Sequence, residues 1–295
     1  MSPNFFEMLD PSLQFFGLVF FFLLGSLIGS FLNVVIHRLP RGESIVFPNS
    51  HCPACQAPIR FYDNFPILSW LLLRGRCRRC RAPISSRYWF VEVITATAFA
   101  VIFWRTGLSL ILPFNLIFTA LLIPLIFIDA EHKILPNAIN YPGLIFFTIV
   151  RLTLPLFFAA APFDDLSVGP LSALAQPLWL ISLEGAALGA LVGGGSLWLV
   201  GKFWKITRKI DAMGLGDVKM LLMVGAFLGW RLTLLTIFLG ALSGAIIGVY
   251  IISKQKDKDY QTQIPFGVFL GLGAFISLVC GSEIINWYLR NFIPH

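Results

Sequence analysis

Eight apolar stretches, each near the length that a helix needs to cross a bilayer, dominate this sequence. They lie at approximately 13–36, 88–106, 109–129, 138–160, 179–200, 215–229, 231–252 and 264–290. The stretches are continuously apolar and do not alternate, which favours helices over the strands of a membrane barrel. Charged residues make up 13% of the chain, about half of what a soluble domain carries. The sequence therefore predicts an all-α, polytopic membrane helix bundle with about eight transmembrane helices.

The basic residues predict the orientation of this bundle. Segments 37–87, 201–214 and 253–263, together with Lys133 and Lys219, hold 18 of the 22 lysines and arginines. With eight spans, all of them fall on one side of the membrane. The positive-inside rule makes that side the cytoplasm, and it accounts for the net charge of +7 without a nucleic-acid partner. We expect a multi-pass membrane protein, surrounded by lipid.

Only one segment, 37–87, has the composition of a soluble module. We therefore divide the chain into the N-terminus with the first transmembrane helix (1–36), a cytoplasmic domain (37–87) and a transmembrane core (88–295).

The cytoplasmic segment contains two Cys-x-x-Cys pairs that echo one another, CPACQAPI and CRRCRAPI. Their cysteines are Cys52, Cys55, Cys77 and Cys80. Two such turns supply the four soft ligands of a closed tetrahedral zinc site, so the metal is expected to be structural. The alternatives are a pair of disulfides or redox-active dithiols, which a reducing compartment disfavours.

Two aspartates lie at the ends of spans on the same predicted side. Asp129 ends the third span, and Asp217 begins the sixth, beside Gly214 and Gly216. Two carboxyls that meet cannot easily both ionise, so one keeps a proton while the other loses it. Such a pair can activate a water against a peptide carbonyl. Small residues beside Asp217 would allow a substrate backbone to approach and would permit unusual local dihedrals.

Simpler interpretations exist for each acidic residue. Asp217 could be an ordinary N-terminal cap, and Asp129 could pair with Lys133. Glu92, deeper in the second span, is expected to pair with an arginine such as Arg87 or with a polar group of the bundle.

Taken in order, several motifs resemble the type IV prepilin peptidases, the bifunctional leader peptidases and N-methyltransferases of pilus and type II secretion systems. The matching residues are 29–40 (GSFLNVVIHRLP), the two cysteine pairs, 63–70 (DNFPILSW), 84–88 (ISSRY), Ile128-Asp129, Leu135-Pro136, 214–219 (GLGDVK) and 265–267 (PFG). The sequence departs from the family pattern at Trp89, Asn137 and Val268.

The resemblance implies a membrane aspartyl protease of the GxGD type with Asp129 and Asp217 as its catalytic pair. It implies a location in the bacterial inner (plasma) membrane. It also implies prepilins or pseudopilins as substrates, which are cut after a basic leader at the cytoplasmic face. It further implies methylation of the new N-terminal residue, usually phenylalanine, by S-adenosyl-L-methionine, and a zinc-binding cysteine loop. The binding residues for the methyl donor are unknown at this point.

Two other classes of protein are compatible with the residues alone. One is an ion-coupled transporter that uses the two aspartates, although transporters more often carry charges at the midplane and show inverted repeats. The other is a zinc-bearing membrane adapter in which the aspartates are incidental.

Overall fold

The computed structural model describes residues 6, 9–48, 50–158, 176–209, 214–254 and 265–292. Across these residues every regular element is a helix, and the only β-pairing consists of two isolated bridges. The predicted all-α architecture is therefore confirmed. The chain forms two compact units, Met1–Pro124 and Leu125–His295, with the division inside a helix.

The first unit is built on two long helices, α1 (Pro11–Arg38) and α3 (Ser86–Thr106). Each begins at a side-chain cap: Asp10 Oδ1 accepts the N–H of Ser12, and the Ser85 hydroxyl accepts the N–H of Arg87. Such caps satisfy backbone donors that a helix start leaves without intrahelical partners. The two helices pack at short range, because a Cβ on Gly29 would lie 2.9 Å from Glu92 Cα.

Between these helices the chain forms the cysteine-bearing module and short helical turns. They are the 3₁₀ turns Leu39–Arg41 and Phe61–Asp63 and the five-residue helix α2 (Leu68–Leu72). Helix α4 (Leu112–His132) follows α3 and carries Pro124, where the two units divide.

The second unit contains the end of α4 and the remaining helices. These are α5 (Asn137–Phe158), α6 (Leu178–Ala190), α7 (Ser196–Arg208), α8 (Leu215–Lys254) and α9 (Phe266–Phe292). A π-helical segment, Leu191–Gly195, joins α6 to α7, so that one apolar span runs over Leu178–Arg208.

Seven helices among the described residues are long and apolar enough to cross a membrane, where the sequence predicts about eight. The difference lies in α8, whose 40 residues contain both the sixth and the seventh predicted spans. Gly229 interrupts the helix with φ 79° and ψ 171°, a conformation that favours glycine. The two spans are thus joined by one residue instead of a loop.

Contacts with α9 show that α8 reverses direction at this point. A Cβ on Gly271 would lie 3.4 Å from Met220 Cε, and a Cβ on Gly240 would lie 3.3 Å from Leu270 Cα. Residues 220 and 240 would be about 30 Å apart in a straight helix. Both meet neighbouring residues of α9, so α8 is a hairpin with a short first arm (215–228) and a longer second arm (230–254).

Candidate active site and metal centre

The two predicted aspartates line the same cavity of the second unit. The cavity has a volume of about 260 Å³. Its walls are formed by Asp129, Lys133, Ile134, Leu135, Asn137, Gly214, Gly216, Asp217 and Lys219. Asp129 comes from the last turn of α4 and Asp217 from the first turn of α8, and only 5% and 9% of their surfaces are exposed. The fold thus gathers two carboxyls that are distant in sequence into one small polar space.

Helix α9 supplies Asp129 with a partner that the sequence does not reveal. Asp129 Oδ2 accepts a hydrogen bond from the N–H of Val268, in the first turn of α9, at 3.1 Å. The N-terminus of a helix favours an anion, which offsets the unfavourable position of Asp129 at the end of its own helix. Both contributions stabilise a carboxylate at this position.

Gly267 makes this contact sterically feasible. A Cβ on Gly267 would lie 2.8 Å from Asp129 Oδ2 and 3.0 Å from Leu135 Cδ1. Any larger residue would therefore push the aspartate or the loop after α4 away. The PFG motif carries this residue, but periodicity and spacing alone gave no reason to single it out.

One of the two contributions expected of the glycines next to Asp217, unusual backbone dihedrals, is not found. Neither Gly214 nor Gly216 has a positive φ, so unusual dihedrals are not their contribution. A Cβ on Gly216 would lie 3.0 Å from Leu135 Cβ, so this glycine allows the first turn of α8 to approach the loop after α4.

A cationic side chain forms part of the same cavity wall. Lys219 Nζ donates to Asn137 Oδ1 at 2.9 Å and lies 5.3 Å from the ring centroid of Tyr141. Because the Asn137 amide is uncharged, this hydrogen bond does not neutralise the positive charge of Lys219. The first turn of α5 is thereby tied to the first turn of α8.

The four predicted cysteine ligands also converge. Their sulfur atoms all lie within 4.8 Å of one another, and Cys52 Sγ and Cys80 Sγ are 3.8 Å apart. Zn–S bonds of about 2.3 Å in a tetrahedron place sulfurs about 3.8 Å apart. The set therefore fits a zinc ion. The fifth cysteine, Cys280, lies in α9 and is not part of this cluster.

The sequence echo between the two cysteine pairs corresponds to a repeated backbone turn. The N–H of Cys52 donates to Ala57 O and that of Cys77 to Ala82 O, each at 2.9 Å. One residue before each alanine, Gln56 and Arg81 adopt left-handed φ angles of 55° and 61°. Two equal turns thus face each other across the cluster.

Backbone N–H groups in the second turn favour thiolate formation. Those of Cys80 and Arg79 hydrogen-bond to Cys77 and lower the pKa of its thiol to about 6. At Cys80 the N–H of Ala82 acts in the same direction, but burial and hydrogen bonding to the other cysteines raise the pKa of this thiol to about 11. This division is expected of clustered thiols, which resist holding several negative charges without a cation.

One contact braces the cysteine-bearing segment internally, and a second joins it to α3. Arg78 makes a bidentate ion pair with Asp63, whose side chain is only 10% exposed. Glu92 Oε2 in α3 accepts the N–H of Ile67 at 2.7 Å. Glu92 also hydrogen-bonds to the side chain of Ser30 in α1. Its partners thus include polar groups, which is one of the two alternatives that the sequence predicts.

Fold and site together define a class: a multi-pass membrane protein with two buried aspartates in one cavity and a four-cysteine module. The comparisons agree with this class. Residues 23–106 match the Bacterial Peptidase A24 N-terminal domain, and residues 116–249 match the Type IV leader peptidase family.

Curated relatives extend the similarity over most of the chain. A prepilin leader peptidase/N-methyltransferase of Aeromonas hydrophila is 35% identical over 95% of this chain and 95% of its own length. One from Pseudomonas aeruginosa is 35% identical over 91% of this chain and 92% of its own length. One from Myxococcus xanthus is 38% identical over 83% of this chain and 66% of its own length. No solved structure matches the chain.

The chain belongs to the Type IV leader peptidase family, which confirms the predicted resemblance. It is a multi-pass membrane enzyme of the peptidase class.

Proposed function

We propose that this protein cleaves the leader peptide from type IV prepilins or pseudopilins, with Asp129 and Asp217 as the catalytic pair. The observation that carries the proposal is their shared position, buried in the wall of one cavity. The names of relatives that align over most of the chain supply the substrate class.

The surroundings of the two carboxyls suggest their roles. The hydrogen bond from Val268 and the start of α9 favour a negative charge on Asp129. We therefore assign Asp129 as the base that takes a proton from water, and Asp217 as the acid that protonates the scissile carbonyl oxygen. The attacking oxygen adds to the carbonyl carbon and gives a diol intermediate. Asp129 then passes the proton that it took from water to the leaving nitrogen, and a hydroxyl of the diol returns a proton to Asp217. The C–N bond breaks, which releases the new carboxyl terminus and the new amino terminus.

The substrate must present an unwound backbone to this cavity. A peptide bond inside a helix has its N–H and C=O groups engaged in intrahelical bonds, so the scissile region has to be opened first. We place this reaction at the cytoplasmic face, since the basic segments 37–87 and 201–214 favour that orientation under the positive-inside rule.

We infer a second activity, methylation of the new N-terminal residue, from the names of the relatives. S-adenosyl-L-methionine is the expected methyl donor and would supply an electrophilic methyl group. We assign no residues to its binding. Cys52, Cys55, Cys77 and Cys80 would hold a structural zinc ion, because four thiolates leave no open coordination position.

The test of the catalytic pair is cleavage of a purified prepilin by Asp129→Asn and Asp217→Asn variants in lipid nanodiscs, read by mass of the product. We expect cleavage to fall by about 10³-fold or more in each, because one member of an acid–base pair is lost. Asp10→Asn is the matched control, since Asp10 caps α1 outside the cavity and asparagine caps equally well.

Cleavage at the wild-type rate by Asp129→Asn would mean that Asp129 serves only as a cap for α9. Cleavage by both variants would favour a transporter or an adapter. Methylation of a pre-cleaved pilin, measured in the same variants, should continue, which separates loss of chemistry from loss of fold.

A further inference from the structure

An arginine is buried in the interior of the second unit, far along α5 from the cavity. Arg151 is 1% exposed and lies in a helix apolar enough to span a membrane. An arginine near the centre of a membrane-spanning helix is among the most unfavourable residues that such a helix can carry. A group that unfavourable requires a specific interaction.

One partner of Arg151 is the end of the first arm of α8. An Nη atom of Arg151 donates to the carbonyl oxygen of Phe227 at 2.9 Å. The helix is interrupted two residues later at Gly229, and the last carbonyls of a helix lack intrahelical donors. In an apolar environment each such carbonyl needs another donor. The guanidinium provides one, and its charge also favours the negative end of the helix dipole.

A second contact strengthens the same junction. Phe147 lies one helical turn before Arg151 on α5 and is fully buried. Its ring centroid is 4.4 Å from that of Phe227. Residues four apart share one helix face, so α5 holds Phe227 by its ring and by its carbonyl.

The other end of the same arm is also held by α5. Asn137 in the first turn of α5 accepts the hydrogen bond from Lys219, two residues after Asp217. The short arm 215–228 is therefore fixed to α5 at both ends. Its axial position determines where Asp217 lies in the cavity.

We propose that Arg151 is a positioning residue for Asp217. By capping the first arm of α8 at its reversal, it fixes the height and rotation of the helix that presents the carboxyl. This inference rests on the proposed function, because it assigns Arg151 to the alignment of the catalytic pair. Arg151 itself takes no part in the chemistry.

The test compares Arg151→Met and Arg151→Lys in nanodiscs with Arg231→Met as the control. Methionine keeps the apolar volume but cannot donate, whereas lysine keeps the charge and a donor. Arg231 also lies at the reversal, but it is half-buried and its guanidinium contacts the Trp230 ring. All rates are expressed per folded molecule.

We expect Arg151→Met to lower kcat about 10-fold or more while KM changes less than about twofold. A misplacement of about 1 Å is enough to reduce rates by about 100-fold. Arg151→Lys should recover most of the rate. Arg231→Met should stay within about twofold of wild type. An unchanged kcat per folded molecule in Arg151→Met would overturn the proposal, as would an equal loss in Arg231→Met.

Hydrogen exchange of the amides around Gly229 tests the cap separately from cleavage. Exchange should accelerate in Arg151→Met and return towards wild type in Arg151→Lys. If Arg151→Met does not fold, Arg151→Gln, which has a shorter side chain, replaces it. A wild-type kcat together with wild-type hydrogen exchange in Arg151→Gln would then overturn the proposal. If Asp129→Asn and Asp217→Asn retain cleavage, the proposed function fails. In that case the hydrogen-exchange protection of the amides around Gly229 still tests whether Arg151 caps the first arm of α8.

Discussion

Gly193 lies where a single added methyl group should disturb both arms of the α8 hairpin. A Cβ on Gly193 would lie 2.6 Å from the Leu221 carbonyl oxygen in the first arm and 2.8 Å from Thr233 Cγ2 in the second. Ordinary van der Waals contact begins at 3.4 Å. The first arm must therefore move by about 0.8 Å, the difference between these two distances.

The displacement acts one helical turn from Asp217, because Leu221 follows it by four residues. Overpacking of this kind costs about 1–3 kcal/mol of stability. Because misplacement by about 1 Å can reduce a rate about 100-fold, we expect kcat of Gly193→Ala to fall about 10-fold to 100-fold. The assay is prepilin cleavage in nanodiscs, with the thermal midpoint measured on the same samples.

The same glycine run contains the matched control. A Cβ on Gly195 would meet nothing within 4 Å, so Gly195→Ala should keep both its thermal midpoint and its kcat. Equal behaviour of the two alanine variants would refute the steric argument. A Gly193→Ala enzyme that is less stable but cleaves at the wild-type rate would show that the displacement does not reach Asp217.

Three further predictions concern the first unit. Cys52→Ser should lower the zinc content, measured by mass spectrometry, below one ion per chain. Cys280 lies outside the cluster, so Cys280→Ser should leave the zinc content unchanged. Full zinc occupancy in Cys52→Ser would contradict the four-thiolate site. Glu92→Leu should leave the N–H of Ile67 without its acceptor and lower the local stability by about 1–3 kcal/mol. The measurement is hydrogen exchange over residues 63–72, which should become faster. Glu92→Gln keeps an acceptor, so its exchange should stay close to that of the wild type. Arg81→Gly should remove the strain of a left-handed backbone conformation, which is about 1 kcal/mol for a residue with a side chain. The thermal midpoint of the zinc-loaded protein should therefore rise. Arg79 does not have a positive φ, so Arg79→Gly should lower the midpoint or leave it unchanged.

The sequence was sufficient for features that depend on local pattern. Continuous apolar stretches predicted the spans, because a helix must be about 20 residues long to cross a bilayer. The echo between CPACQAPI and CRRCRAPI predicted two equal turns, since the same backbone hydrogen bonds follow from the same local residues. The pairing of Asp129 with Asp217 was suggested by their depth at one side of the membrane.

Other features depended on which helices become neighbours, and no local pattern contains that information. The N-terminus of α9 meets Asp129 across more than a hundred residues of sequence. The steric requirement for glycine at Gly267 therefore could not be predicted from local pattern. The reversal at Gly229 also depends on a distant segment. One glycine with a positive φ turns the chain at the point where Arg151, from another helix, satisfies the Phe227 carbonyl. Local sequence determined the helices and the metal-binding turns, whereas long-range packing decided what surrounds each buried charge. The reason is that a charge in an apolar interior is stable only where a distant segment supplies its partner.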